Sequence, residues 1–249
     1  MRRFYVPPEL SRGDTFELPE REARHAAQVI RLQPGDELTV LDGAGGVLTC
    51  EAISVSKRSV HVNVRQRIIH PALPCAVTLV QAIPKGPAFE TIVQKATELG
   101  ATRLVPLLSE RVIVHIDPRD AESKVEKWRQ IAIESVKQCG SPWLPIIEPP
   151  IQMPAALTAV ARNELQLVAS LERGSQSLRN IVATHCACQG ASPKTVSVWI
   201  GPEGDFTTAE YAALRGAGAQ AVSLGSLVLR ADTAAIAMLA MVNHELQAT

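Results

Sequence analysis

Val196-Ser197-Val198-Trp199-Ile200-Gly201-Pro202-Glu203-Gly204-Asp205-Phe206-Thr207-Thr208-Ala209-Glu210 runs an apolar strand into a Gly-Pro-Glu-Gly turn and out into a helix. Thr207 with Glu210 three residues on is the pairing of a capping box, in which each side chain satisfies a backbone N–H of the first helical turn. Strand, glycine turn and helix in succession build an open α/β sheet, and ligands of such sheets bind beyond the carboxyl ends of the strands. Two glycines there admit a cofactor close to the backbone. The same spacing also suits a plain strand-to-helix connection.

A second corner follows at once. Residues 221–224 read as a strand, Gly225 to Thr233 as a loop, and a helix is predicted from about Ala234 to Leu246. Leu227-Val228-Leu229 is an apolar run inside a loop and needs a cover, either an adenine ring or the chain itself. Arg230, directly after it and close to Asp232, on its own fits a helix-start ion pair more readily than a functional cation. The predicted helix is apolar on every side over residues 234–242, so it has to be covered all round.

Upstream the texture is the same. Strands are predicted at 76–82, 103–107, 165–171 and 195–200, with helices at 89–99 (closed by Gly100), 121–139 and 177–188. That alternation means an α/β domain with a mainly parallel sheet. Pro71-Ala72-Leu73-Pro74 breaks the pattern and divides the chain into residues 1–72 and 73–249. The first part reads as a strand-rich unit with one helix at 20–32, stopped by Pro34-Gly35. Its strands at 38–41 and 47–55 flank the turn residues 42–46. Val60, Val62 and Val64 alternate with His61, Asn63 and Arg65, which leaves one charged face open to a partner.

Lysines and arginines (25) balance aspartates and glutamates (25), so the chain as a whole is not a nonspecific polyanion binder. Charge is nevertheless uneven: Lys57, Arg58, Arg65 and Arg67 fall in a stretch without an acid. No apolar run reaches the roughly 18 residues of a membrane span, and the start MRRFYVPPEL turns polar too soon for a signal peptide, so a cytoplasmic location is expected. Five scattered cysteines argue against a disulfide framework. His185-Cys186-Ala187-Cys188 lacks a matching second pair and reads as helix packing rather than a metal site. Neither GxxxxGK[ST] nor GxGxxG occurs, which weakens a nucleotide-phosphate reading of the first corner.

Taken together, IGPEGDF (200–206) followed by VSLGSLVLRADTA (222–234) resembles the paired motifs of the bacterial 16S rRNA N3-uridine methyltransferases, the RsmE family of the SPOUT class. PKGPAFETIVQKATELGATRLVPLLSERVIV (84–114), RRFYV (2–6), His25 and VIRLQPGDELTVLDGAGG (29–46) extend the likeness over nearly the whole chain. Three departures stand out. Asp205 takes the place of a usual glycine, Ala231-Asp232 that of Thr-Glu, and Gln138-Cys139-Gly140-Ser141 lacks a following arginine.

The resemblance implies a PUA-like β-barrel unit for RNA, then a trefoil-knotted domain that binds S-adenosylmethionine in a bent form at a homodimer interface. The cofactor would be held by Leu171, Ile200, Gly201, Pro202, Glu203, Gly204, Leu224, Gly225, Ser226, Leu227, Val228 and Leu229. Arg230 would stabilise charge on the uracil oxygens, with Glu203 or Asp232 accepting the N3 proton directly or through water. Phosphate contacts are expected among Arg2, Arg3, Arg24, Arg31, Lys57, Arg58, Arg65, Arg67, Lys85, Lys95 and Arg111. Trp199 suits the core better than a stacking role. Alternatives are a SPOUT methyltransferase acting on another RNA and a non-catalytic RNA-binding factor of ribosome assembly.

Overall fold

The computed structural model describes residues 2–114 and 116–247. Cα packing divides the chain into two units. One holds the residues up to Ala72 together with Ile133–Leu144; the other holds Leu73–Ala132 and the chain from Pro145 onward. Membership of residues 133–144 in the first unit is invisible to a division of the sequence at residue 72.

In the first unit, strands β1 (Arg3–Tyr5), β2 (Thr15–Glu17), β3 (Glu37–Leu41), β4 (Gly46–Val55) and β5 (Val60–Ile69) pair in the order β1-β3-β4-β5-β2. β1 runs parallel to β3 and the other neighbours are antiparallel. Two register shifts between β4 and β5 bend the pair, as an extra residue in one strand does. The helix expected at 20–32 is α1 (Glu20–Arg24), continued by a π-helical turn (His25–Ile30) that Arg31 ends at φ +56°. Ala23, Ala26 and Leu32 from this segment pack on Phe4, Leu38, Val40, Leu48, Val60 and Val62 of the sheet.

Residues 133–144 complete that unit. Lys137 Nζ lies 3.0 Å from Glu22 Oε1, with the two side chains only 7% and 6% exposed, and Glu134 is its second partner. Arg3 Nη1 donates to the carbonyls of Lys137 (3.3 Å) and Gln138 (2.8 Å), satisfying a helix C-terminus. In the turn before β4, Asp42 Oδ1 accepts the N–H groups of Ala44 and Gly46. Gly45 at φ +100° brings its backbone against the Trp143 ring, where a Cβ would sit 2.6 Å from a ring carbon.

The second unit is the parallel sheet expected from the alternation. Its strands are β6 (Ala76–Ala82), β7 (Arg103–Leu108), β8 (Ile146–Ile147), β9 (Ile151–Gln152), β10 (Leu165–Ala169), β11 (Thr195–Ile200) and β12 (Gln220–Val222). They follow the order β12-β10-β11-β6-β7-β8, with β9 also on β7, and every pair is parallel. Helices α2 (Ala88–Glu98), α3 (Pro118–Cys139), α4 (Met153–Val160), α5 (Leu178–Gln189), α6 (Thr208–Gly216) and α7 (Ala231–Leu246) connect them.

β11 lies inside the sheet with both faces covered, which is why residues 196–200 are uninterruptedly apolar apart from one serine. Trp199 is fully buried among Val80, Val105, Leu107, Phe206, Tyr211 and Leu214. On the other face, α7 packs against β11, with α2 and α5 against α7. No helix among the described residues is long and apolar enough to cross a membrane.

Candidate functional site

Three loops meet beyond the carboxyl ends of β10, β11 and β12, where an open parallel sheet presents its crevice. They line a half-open cleft of about 100 Å³. Ala169, Ser170 and Leu171 follow β10; Ile200, Gly201, Pro202, Glu203 and Asp205 follow β11; Leu224 and Leu227-Val228-Leu229 follow β12, and Ala231 and Ala234 of α7 close the wall. Of the cofactor residues expected from sequence, Leu171, Ile200, Gly201, Pro202, Glu203, Leu224, Leu227, Val228 and Leu229 line this one cleft. Gly204, Gly225 and Ser226 sit in the same loops but off the wall. Ala169, Ser170, Asp205, Ala231 and Ala234 are wall residues that sequence reasoning did not include. Only Asp205 carries a signal, its departure from a usual glycine.

The turn after β11 is fixed from several directions. Glu210 is 7% exposed, and its carboxylate accepts the Thr207 N–H (2.9 Å) and the Glu110 N–H (2.9 Å). Thr207 Oγ1 accepts the Glu210 N–H and donates to Glu110 Oε2, completing the capping box expected from sequence. Arg111 Nη1 donates to the Gly204 carbonyl at 2.6 Å, and the Lys85 N–H donates to Glu203 Oε1 at 2.9 Å.

The tight glycine is Gly201 rather than Gly204. A Cβ on Gly201 would lie 3.1 Å from Asp205 Oδ1 and 3.3 Å from the Phe206 nitrogen, whereas one on Gly204 meets Arg111 at ordinary contact distance. Asp205 itself stands at φ +60°, a region that favours glycine.

A ligand suits this geometry. Leu227 and Val228 are 73% and 79% exposed, and among the described residues no acceptor meets the N–H groups of Leu227, Val228 or Leu229. Apolar side chains and free backbone donors on one loop match a planar heterocycle that is both hydrophobic and rich in acceptors. An adenosyl group fits that description. Arg230 caps α7 in an extended conformation, exposed and without an ion pair among the described residues. Asp232 Oδ1 instead accepts its neighbour's Thr233 N–H at 2.9 Å, so the two do not form the helix-start ion pair that was one expectation.

The basic residues expected to meet phosphate separate into two sets. Arg3 and Arg67 are spent on the chain's own carbonyls, Arg67 Nη2 reaching Ser11 at 2.7 Å and Gly13 at 3.3 Å. Arg2 pairs with Asp36, Arg24 with Glu20, Arg65 with Glu51 and Lys95 with Glu98. The Gln33 N–H first, and then Arg2, holds the Asp36 carboxyl below the usual carboxylate range. Arg31, Lys57, Arg58 and Lys85 have no acidic partner among the described residues. On α7, Met238, Leu239 and Val242 are buried within the unit while Ala240 is exposed and Ala237 and Met241 are partly covered. Burial pushes the Cys50 and Cys75 thiols up to about 11. No group of three metal-ligating side chains occurs among the described residues.

Comparison with known proteins agrees with this arrangement. Residues 71–243 match a family described as RNA methyltransferase domain, and residues 18–65 one described as RNA methyltransferase PUA domain. Relatives named ribosomal RNA small subunit methyltransferase E include that of Synechocystis sp., 32% identical over 98% of this chain and 78% of its own. The Bacillus subtilis protein of that name is 29% identical over 98% and 97%. The Neisseria gonorrhoeae protein of that name, solved bound to S-adenosyl methionine, superimposes with a TM-score of 0.87 at 30% identity over 98% of both chains. A Legionella pneumophila methyltransferase solved with bound SAM gives 0.87 at 31% identity over 98% and 97%.

Proposed function

The chain belongs to the ribosomal RNA small subunit methyltransferase E family, and on that premise we propose that it methylates N3 of one uridine in 16S rRNA within the small ribosomal subunit, in the cytoplasm and as a homodimer. The observation that carries this reading is the cleft at the ends of β10, β11 and β12, with its exposed Leu227-Val228 and free backbone donors. S-adenosylmethionine supplies an electrophilic methyl group when bound there. The units divide the work: the one built on residues 1–72 binds RNA through the unpaired Arg31, Lys57 and Arg58, and residues 73–249 carry the chemistry.

Methyl transfer to N3 requires alignment and loss of the imide proton. Arg230, exposed and without an ion pair among the described residues, stands in sequence between the cleft-wall residues Leu229 and Ala231, which supports a role at the reacting centre. Its planar guanidinium meets the charge that builds on the carbonyl oxygens flanking N3 as the proton leaves. Glu203 is favoured over Asp232 as acceptor of that proton, directly or through water, because Glu203 lines the cleft and Asp232 does not. The Lys85 N–H on Oε1 orients the Glu203 carboxylate. Homodimerisation is supported by the exposed Ala240 and the partly covered Ala237 and Met241 on the apolar stretch 234–242 of α7.

The test is single-turnover methylation of undermethylated 30S subunits with labelled S-adenosylmethionine, followed by mapping of the modified nucleotide. Label should appear on N3 of one uridine. Arg230→Ala should lower the rate roughly 100- to 1,000-fold with cofactor affinity largely kept. A wild-type rate in this variant removes Arg230 from the chemistry, and label on another atom or no label overturns the substrate assignment.

A further inference from the structure

Asp205 occupies a backbone position that disfavours it, and its side chain accounts for its presence. At φ +60° an aspartate carries a conformational cost that a glycine would not. Oδ1 accepts the Phe206 N–H at 2.8 Å and the Tyr211 hydroxyl at 2.9 Å, which fixes the carboxylate where it lines the cleft. Burial above all holds the Tyr211 hydroxyl far above its ordinary pKa, so tyrosine remains the donor and aspartate the acceptor. Among the described residues neither an ion pair nor a second hydrogen bond engages Oδ2. The cleft wall thus carries two carboxylates, Glu203 and Asp205, and no lysine or arginine. A wall whose two carboxylates form no ion pair among the described residues is complementary to a cationic ligand.

We propose that Asp205 is a specificity-determining residue whose fixed carboxylate favours the cationic sulfonium form of the cofactor over the neutral sulfide that remains after transfer. This rests on the methyltransferase reading above. In that reaction the S–CH3 bond breaks with its electron pair staying on sulfur, and the N3 pair, freed when its proton passes to a carboxylate or water, forms the new N–CH3 bond. Sulfur loses its positive charge in the same step, and the attraction to Asp205 falls away as the product forms. Asp205 therefore contributes selection of the charged cofactor and release of the spent one.

Calorimetric titration of the full chain with S-adenosylmethionine and with S-adenosylhomocysteine tests this in wild type, Asp205→Asn and Asp205→Gly. Asparagine keeps the acceptor for Phe206 and Tyr211 but removes the charge; glycine suits φ +60°, and a thermal melt checks folding of each. Both variants are expected to lose roughly tenfold in affinity for S-adenosylmethionine and less than about twofold for S-adenosylhomocysteine. Equal weakening of both ligands, or no change in either, overturns the proposal and leaves Asp205 a structural residue. Failure of the wild type to bind either compound overturns the methyltransferase reading and this inference with it.

Discussion

Replacing Glu210 by alanine removes the side chain that ties the capping box of α6 to the segment after β7. The carboxylate accepts two backbone N–H groups at 2.9 Å from a site only 7% exposed. Hydrogen bonds to a charged acceptor are worth about 1.5–3 kcal/mol each, and the exposed Glu110 end regains water, so the net loss is about 3 kcal/mol. For a chain of this size that lowers Tm by roughly 6–12 °C. Glu210→Gln keeps one acceptor and turns an amide N–H2 toward the other donor, so it should fall between wild type and alanine. The same loss removes the Glu210 bridge between Thr207 and Glu110 and leaves their direct side-chain hydrogen bond to hold the two segments, which loosens the turn carrying Gly201 to Asp205 and weakens S-adenosylmethionine binding. Calorimetric melting and cofactor titration on the two variants read both effects. A fall in Tm of under about 3 °C for Glu210→Ala, with unchanged cofactor affinity, would refute the idea that this buried carboxylate organises the cleft.

Gly201→Val should abolish cofactor binding, because its branched side chain has to displace Asp205 and the Phe206 amide, whereas Gly204→Ala should bind within about twofold of wild type; titration of both variants distinguishes the two glycines. Lys57→Glu combined with Arg58→Glu should weaken RNA binding and reduce the slope of log affinity against log salt by about 0.7 for each phosphate no longer neutralised, measured by filter binding over a salt series. Arg67→Glu should instead lower thermal stability, since it strips the Ser11 and Gly13 carbonyls of their donor. Ala240→Glu should convert a dimer into monomers by light scattering at micromolar concentration, and a wild-type monomer there sinks the dimer assignment.

Local signals carry much of the fold. Thr207 and Glu210 recognise each other across three residues, and β11 betrays its burial by a run of apolar side chains. The stretch 146–160 is opaque by comparison: β8 and β9 are two-residue edge strands set among prolines, and α4 follows with no capping side chain. α7 likewise begins at Ala231, three residues before its apolar run, because Arg230 ends the loop without a side-chain cap. Most cleft residues are adjacent in sequence to strand ends and so were legible. Arg3 and Arg67 were not, since their partners are carbonyls more than fifty residues away. A cation read from sequence shows its charge but not whether the chain has already used it. The two glycines of the turn look alike in sequence for a related reason: the crowding that demands a glycine at Gly201 comes through a side chain four residues on.

Because residues 133–144 belong to the first unit, that unit is discontinuous along the chain, and synthesis imposes an order on its assembly. Its strands are all made by Ile69, yet Glu22 has no Lys137 and Arg3 no helix end to cap until roughly seventy residues later. At roughly 5–20 residues per second the nascent sheet waits several seconds for its last segment. During that interval the Glu22 carboxyl has water in place of its ammonium partner. A fragment cut at residue 72 would be held in that waiting state permanently, and the remainder would leave Lys137 with Glu134 but without Glu22. A boundary at residue 72 therefore cuts through the first unit, and a fragment meant to fold as that unit has to carry residues 133–144.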